Sequence, residues 1–311
     1  MGYPGSVMKR RTQRVVVIGE VLFDAFPDGD RLGGAPFNVA WHLHGLGLAP
    51  QFVSSVGDDP CGERIRTAMA DHGMALDGLQ HDPTHPTGRV RVTLDGRGGH
   101  QFDILPDQAY DHLDARAVAT VTGAAPIDLL YFGTLATRSP ASGTAILAAA
   151  TAAPAIRFLD VNLRPACWSE ATLTACLAAA TVVKLNDDEL EVLRGLYALP
   201  ADEAQAERAL RERFGLDALL LTRGARGAAW VNGTGRVETP APEVAVVDTV
   251  GAGDGFAAVA AIGLLSGWSP ATTLERATAF AARICAQRGA CPDDTGIYST
   301  FLDEWESEDS P

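Results

Sequence analysis

Short apolar runs recur along the chain, with helix-periodic blocks between them. Residues 15–18, 52–56, 129–132, 156–161, 182–185 and 219–221 are dominated by Val, Ile, Leu and Phe and are too short for helices. They read as strands buried on both faces. Helix-like blocks fill the intervals at 37–46, 62–72, 139–152, 170–180 and 204–214, and two longer ones follow at 253–265 and 271–287. This strand–helix alternation predicts a mostly parallel sheet with helices on both faces.

Two stretches break the alternation. Residues 89–94 alternate polar and apolar, as a half-exposed strand does, and 101–104 do so again after a turn at 96–99. Residues 21–26, ahead of the Pro27-Asp28-Gly29 turn, are a third candidate. Together they predict a small antiparallel sheet standing off the main one. Residues 1–14 read as a disordered leader, and 15–311 as a single domain with the small sheet drawn from about 21–32 and 87–105. The acidic tail, 303–311, is expected to fray.

With 47% hydrophobic and 21% charged residues, the composition is that of an ordinary globular protein, and 311 residues can bury a large core. The net charge of −14 argues against nucleic acid and anionic membranes as partners. Cys61, Cys167, Cys176, Cys285 and Cys291 are odd in number and irregularly spaced, as expected of reduced thiols in a cytoplasmic protein. Residues 1–14 lack the apolar core of a signal peptide, and no apolar run is long enough to span a membrane. None of the seven histidines has metal-ligand spacing in sequence; His42 and His44 face different sides of a helix.

The segment Asp248-Thr249-Val250-Gly251-Ala252-Gly253-Asp254 precedes a long apolar helix. Small residues let backbone N–H groups turn toward one point, and a helix start adds its positive dipole end, so the turn can seat a phosphate. Asp254 at the helix mouth can take a proton from an attacking hydroxyl. The same residues also suit an Asp cap on a tight glycine turn. A second Gly-Gly turn, Gly33-Gly34-Ala35-Pro36-Phe37-Asn38-Val39-Ala40, runs into a helix far upstream. There Asn38 offers a donor and an acceptor to sugar hydroxyls or serves as a structural Asn. The chain has no Gly-x-x-x-x-Gly-Lys-Ser/Thr, no protein-kinase motif set and no dinucleotide Gly-x-Gly-x-x-Gly after a strand.

Together, in this order and at this distance, the two segments resemble the paired signatures of the PfkB carbohydrate kinases, and the wider chain resembles their fructokinase branch. The resemblance implies a ribokinase-like three-layer α/β/α fold with a small β lid that often makes a dimer contact. It implies transfer of the γ-phosphoryl group of ATP to a primary sugar hydroxyl, most readily of fructose, with 2-keto-3-deoxygluconate, ribose or a nucleoside as alternatives. A catalytically silent sensor on the same fold is the rival of another class. Asp254 would be the base, Gly251-Ala252-Gly253 the phosphate-cradling turn, and the N–H groups of Ala252, Gly253 and Asp254 the anion hole. Asp24, Gly33, Gly34 and Asn38 would hold the sugar.

Asp160-Val161-Asn162-Leu163-Arg164 resembles a segment of the same branch; Arg164 serves a phosphoryl group or sugar acid, or else pairs with Asp160. Lys184-Leu185-Asn186-Asp187-Asp188-Glu189 resembles the family's Asn-x-x-Glu motif, which places Asn186 beside the nucleotide and Glu189 on Mg²⁺ through water. It also reads as a capped helix start. Thr222 and Gly224 would flank the nucleotide, and Arg223 between them either adds a phosphate contact or points to solvent. Gly289 would lie beside the nucleotide. Its loop, with Asp248 and the Val250 carbonyl, resembles one that holds a monovalent cation such as K⁺ in some members.

Overall fold

The computed structural model describes residues 13–26, 29–94, 100–153, 155–292 and 295–308. In chain order its elements are β1 (Val15–Ile18), β2 (Leu22–Phe26), β3 (Gly29–Gly33), α1 (Ala35–Gly45), β4 (Gln51–Gly57), α2 (Pro60–Asp71), β5 (Leu79–Asp82), β6 (Gly88–Leu94) and β7 (His100–Ile104). Then come α3 (Ala115–Gly123), β8 (Leu129–Gly133), α4 (Pro140–Ala152), β9 (Ile156–Asp160), α5 (Glu170–Ala179), β10 (Val182–Asn186), α6 (Asp187–Tyr197), α7 (Glu203–Phe214) and β11 (Ala218–Thr222). The hairpin β12 (Ala228–Asn232) and β13 (Gly235–Thr239) precedes α8 (Ala252–Ser266), α9 (Pro270–Cys285) and α10 (Gly296–Glu308).

The main sheet runs β13-β12-β11-β10-β9-β8-β1-β4-β5. All its pairs are parallel except those of β12 with β11 and with β13. Because strand side chains alternate between faces, Val15 and Val17 join one apolar layer with α1, α8 and α9, while Val16 and Ile18 join another with α4, α5 and α6. Both layers are buried, which is why the strands read as continuous apolar runs. The expected three-layer ribokinase-like architecture is therefore present.

The order has one consequence for function. From β1 the chain builds outward through β4 and β5, then returns to β8 on the other side and continues to β11. Neighbouring connections thus diverge between β1 and β8, opening a crevice at the carboxyl ends of the strands.

The small sheet has the order β3-β2-β6-β7. It is mixed rather than antiparallel: β2 pairs with β3 and β6 with β7 antiparallel, but β2 and β6 run parallel. Two separate excursions from the main sheet supply the two hairpins, and they meet side by side. The expected turn at 96–99, most of the leader, and Pro27-Asp28 of the first turn lie outside the described residues. Arg14, placed in the leader by sequence, instead donates to the carbonyls of Val121 and Ala125 and to Gln51. The acidic tail does not fray over its described part. Residues to Glu308 lie in α10, where Phe301 and Trp305 are buried against Phe280 and Trp268. Among the described residues no helix is long and apolar enough to cross a membrane.

Candidate active site

A cleft of about 450 Å³ opens at the carboxyl ends of the central strands, beneath the small sheet. Asp24, Gly34, Asn38, Arg164, Asn186, Glu189, Thr222, Val250, Gly251, Gly253 and Asp254 all border it. Segments some 230 residues apart in sequence thus converge on one space.

Its floor is the start of α8. Gly251 caps the helix with φ +82°, and a Cβ there would lie 2.4 Å from the Cβ of Ala290, so the turn needs glycine twice over. Ala252 N–H reaches the Thr249 carbonyl at 3.3 Å and Asp254 N–H reaches the Gly251 carbonyl at 3.1 Å. Two of the expected anion-hole donors therefore already take part in the turn, as shared donors at helix starts often do.

Asn38 touches the expected base directly: its amide Nδ2 donates to Asp254 Oδ2 at 2.7 Å. Sequence assigned Asn38 to the sugar, whereas here it also fixes the orientation of the carboxylate. Burial pushes Asp254 up to about 6, against the opposing pull of the Asn38 hydrogen bond and the Lys184 charge. A carboxylate in that range is well matched to proton abstraction near neutral pH. Burial likewise raises Asp24 to about 6, opposed by Arg164 and Arg31.

Gly34 caps α1 with φ +108°, where a Cβ would meet the Glu20 carbonyl at 2.6 Å. Gly33 closes β3 behind Asp24; a Cβ on it would lie 3.2 Å from Asp24 Oδ2. Asn186 and Glu189 form a complete capping box at the start of α6. Glu189 accepts from Asn186 N at 2.8 Å and from Leu163 N at 2.8 Å, so it ties α6 to the segment carrying Arg164. The capped helix start is real, and it faces the cleft.

Asp248 accepts from Val250 N at 3.0 Å and Gly289 N at 3.1 Å, gathering the three residues expected around a monovalent ion. Gly224 and Gly289 do not border the cleft. Arg223 neither borders the cleft nor points to solvent: its side chain, 9% exposed, pairs with Glu203 and Glu238 at 3.2 and 3.4 Å.

Asp160, Lys184 and Glu20, to which sequence assigned no part in the chemistry, border the cleft. Asp160 pairs with Lys184, at 2.8 and 3.0 Å, and not with Arg164; Tyr131 donates to the same carboxylate at 3.0 Å. Lys184 Nζ sits 3.2 Å from where a Cβ on Gly253 would lie, beside the helix mouth. Burial alone would lower the Lys184 pKa, but Asp160 and Glu189 outweigh it and keep the ammonium charged. Glu20 is buried with Oε2 unpaired, and burial raises it to about 7. One signal for Lys184 was available, because Lys9 and Lys184 are the only lysines among 25 basic residues. A retained lysine in a buried strand is conspicuous in such a chain.

The chain as a whole is similar to known proteins. The pattern of the pfkB family carbohydrate kinases matches residues 12–295. A fructokinase from Escherichia coli is 31% identical over 268 residues, covering 82% of this chain and 84% of that one. The fructokinase of Vibrio cholerae O395, solved as a double mutant with fructose, ADP and potassium ion, superposes with a TM-score of 0.76 at 25% identity, covering 94% of this chain and 98% of the other. The aminoimidazole riboside kinase of Salmonella enterica, solved with its riboside and an ATP analogue, gives a TM-score of 0.78 at 25% identity, covering 93% and 100%.

Proposed function

The chain belongs to the pfkB family of carbohydrate kinases, and from that premise we propose that it transfers the γ-phosphoryl group of ATP to a primary hydroxyl of fructose, with Asp254 as general base. The observation that carries this reading is the Asp254 carboxylate at the cleft floor, held by Asn38 at 2.7 Å and raised to about 6. In this reading Asp24, Asn38 and the Gly33-Gly34 turn bind the sugar beneath the small sheet. Asp254 takes the hydroxyl proton as oxygen attacks phosphorus. The N–H groups at Ala252 and Gly253 and the Lys184 ammonium face the phosphoryl charge. Asn186 and Thr222 line the nucleotide side, with the Gly224 turn and Gly289 behind them.

The donor set suits a divalent cation. Among the described residues, Glu20, Asp24, Asp160, Glu189 and Asp254 border the cleft, with Arg164 and Lys184 as the opposite charges. Hard oxygen donors of this kind suit Mg²⁺ with retained waters. Bound with ATP, Mg²⁺ supplies charge that neutralises the β- and γ-phosphate oxygens. Glu189→Gln is expected to raise the Mg²⁺ concentration needed for half-maximal rate without altering sugar preference. An unchanged magnesium titration would reduce Glu189 to the anchor of α6. A K⁺ ion against Asp248 and the Val250 carbonyl is the accompanying proposal. It is supported by the hydrogen bonds that draw Asp248, Val250 and Gly289 together and by the potassium in the Vibrio cholerae relative.

The choice of fructose rests on charge as well as on kinship. Among the described cleft-lining residues, Lys184 is paired with Asp160, which leaves Arg164 to serve a sugar acid, yet its field falls on Glu20, Asp24 and Asp254. A carboxylate on the substrate would meet those acids as well. A neutral ketohexose avoids that repulsion. Fructose is therefore expected to give a higher kcat/KM than ribose, a nucleoside such as aminoimidazole riboside, or 2-keto-3-deoxygluconate. If the sugar acid is the better substrate and Arg164→Ala raises its KM alone, the fructose assignment is wrong and Arg164 sets specificity.

A further inference from the structure

Outside the residues that border the cleft, His85, Asp107 and His112 turn their ligand atoms toward one another: an imidazole nitrogen from each histidine and a carboxylate oxygen lie within 4.8 Å of one another. We propose that these three side chains form a binding site for a borderline divalent transition metal, of the zinc and nickel class, at the root of the small sheet.

The donors converge on one point. His112 Nε2 lies 2.7 Å from Asp107 Oδ1, and His85 Nε2 lies 3.8 Å from the same oxygen. The two rings stack with centroids 3.5 Å apart and planes within 5°. Two imidazole nitrogens and one carboxylate oxygen suit Zn²⁺ or Ni²⁺, whereas Mg²⁺ and Ca²⁺ favour oxygen throughout. Water completes the fourth position of a tetrahedral ion. The side chains are 27%, 34% and 73% exposed for His85, His112 and Asp107, so an ion can enter.

The frame behind the donors is rigid. His85 Nδ1 lies 2.7 Å from Asp82 Oδ2, which leaves Nε2 for a metal, as outer carboxylates do for metal-bound histidines. Asp82 is buried and also accepts from the Thr84 N–H, the Thr84 hydroxyl and the His85 N–H. Asp107 adopts φ +57°, an uncommon conformation for a residue with a side chain. It leads into a single 3₁₀ turn, Ala109–His112, capped reciprocally by Gln108 and Asp111. Arg138 clamps Asp111 at 2.7 Å, so His112 projects from a pinned turn.

The placement has a mechanical meaning. His85 lies between β5 at the main-sheet edge and β6 of the small sheet, while Asp107 lies just beyond β7. One ion would tie both ends of the β6–β7 hairpin to the main body. Sequence alone could not show this, because the two histidines stand 27 positions apart.

The test uses the full chain, stripped of metal, in buffer without ATP or sugar. Zn²⁺ binding is followed by calorimetry, and Co²⁺ binding by visible absorption, which reports nitrogen donors and coordination number. One saturable Zn²⁺ per chain is expected, with a rise in melting temperature. His85→Ala/His112→Ala should abolish both, and Asp82→Asn should weaken binding about 10–100-fold, the usual cost of losing an outer partner. His112→Gln, at a partly exposed position, serves as a second variant should the others unfold, and it should weaken binding at least tenfold. No saturable binding by the parent chain, or the same isotherm from His112→Gln, would show a His–carboxylate cluster with no metal function.

Discussion

Asp254→Asn is expected to lower kcat by at least about a hundredfold, or roughly 2.7 kcal/mol of barrier, while sugar binding measured by calorimetry stays within a few-fold of the parent. The amide keeps the shape of the carboxylate but cannot take the hydroxyl proton. Asn38 would still face it, so the fold around α8 should hold. Because burial sets Asp254 at about 6, the deprotonated base is present above that pH and is lost as pH falls through it. The expected profile of kcat/KM is flat near neutrality and declines below about pH 6. Glu20 lies nearer 7. Glu20→Gln should therefore leave the limb near pH 6 in place, whereas movement of that limb would assign it to Glu20.

Lys184→Met should have the second-largest effect, and on stability as well as rate. Lys184 and Asp160 are partners in the parallel ladder of β10 and β9, and their side chains pair at 2.8 Å where both are buried. Removing the ammonium leaves a buried carboxylate supported only by the Tyr131 hydroxyl among its described hydrogen bonds. Breaking one side of a buried pair costs about 3–5 kcal/mol. Replacing both partners with apolar residues of similar volume is often neutral. Lys184→Met/Asp160→Leu should thus recover much of the lost melting temperature. Its kcat should remain low, because the positive charge beside Gly253 is still missing. Recovery of both stability and kcat would limit Lys184 to a structural role.

These two predictions draw on different amounts of sequence information. The place of Asp254 and its glycine turn at a helix start was legible because the signal is local, although the cap is Gly251 with no side-chain hydrogen bond rather than an Asp. The central strands were legible because burial on both faces leaves an unbroken apolar run, as at 15–18 and 219–221. Lys184 and Asp160 were not, because their pairing depends on the register between β9 and β10, which no local pattern encodes. The same holds for Asn38 and Asp254, in contact across 216 positions. Asp160 and Arg164 stand close in sequence, yet the fold gives Asp160 to Lys184. Two further elements carry a local signal in the sequence. Asn232-Gly233 between apolar residues marks the β12–β13 hairpin. Ile297, Tyr298, Phe301 and Trp305 form a helical stripe that acidic neighbours obscured in α10.

The most direct test of the central claim is product analysis by ³¹P NMR of the parent enzyme with ATP, Mg²⁺ and fructose. The account predicts ADP and a fructose phosphomonoester in equal amounts, the phosphate on a primary hydroxyl, and neither product when sugar is omitted. ATP consumption without a sugar phosphate, or no turnover with fructose or any other sugar offered, would contradict it.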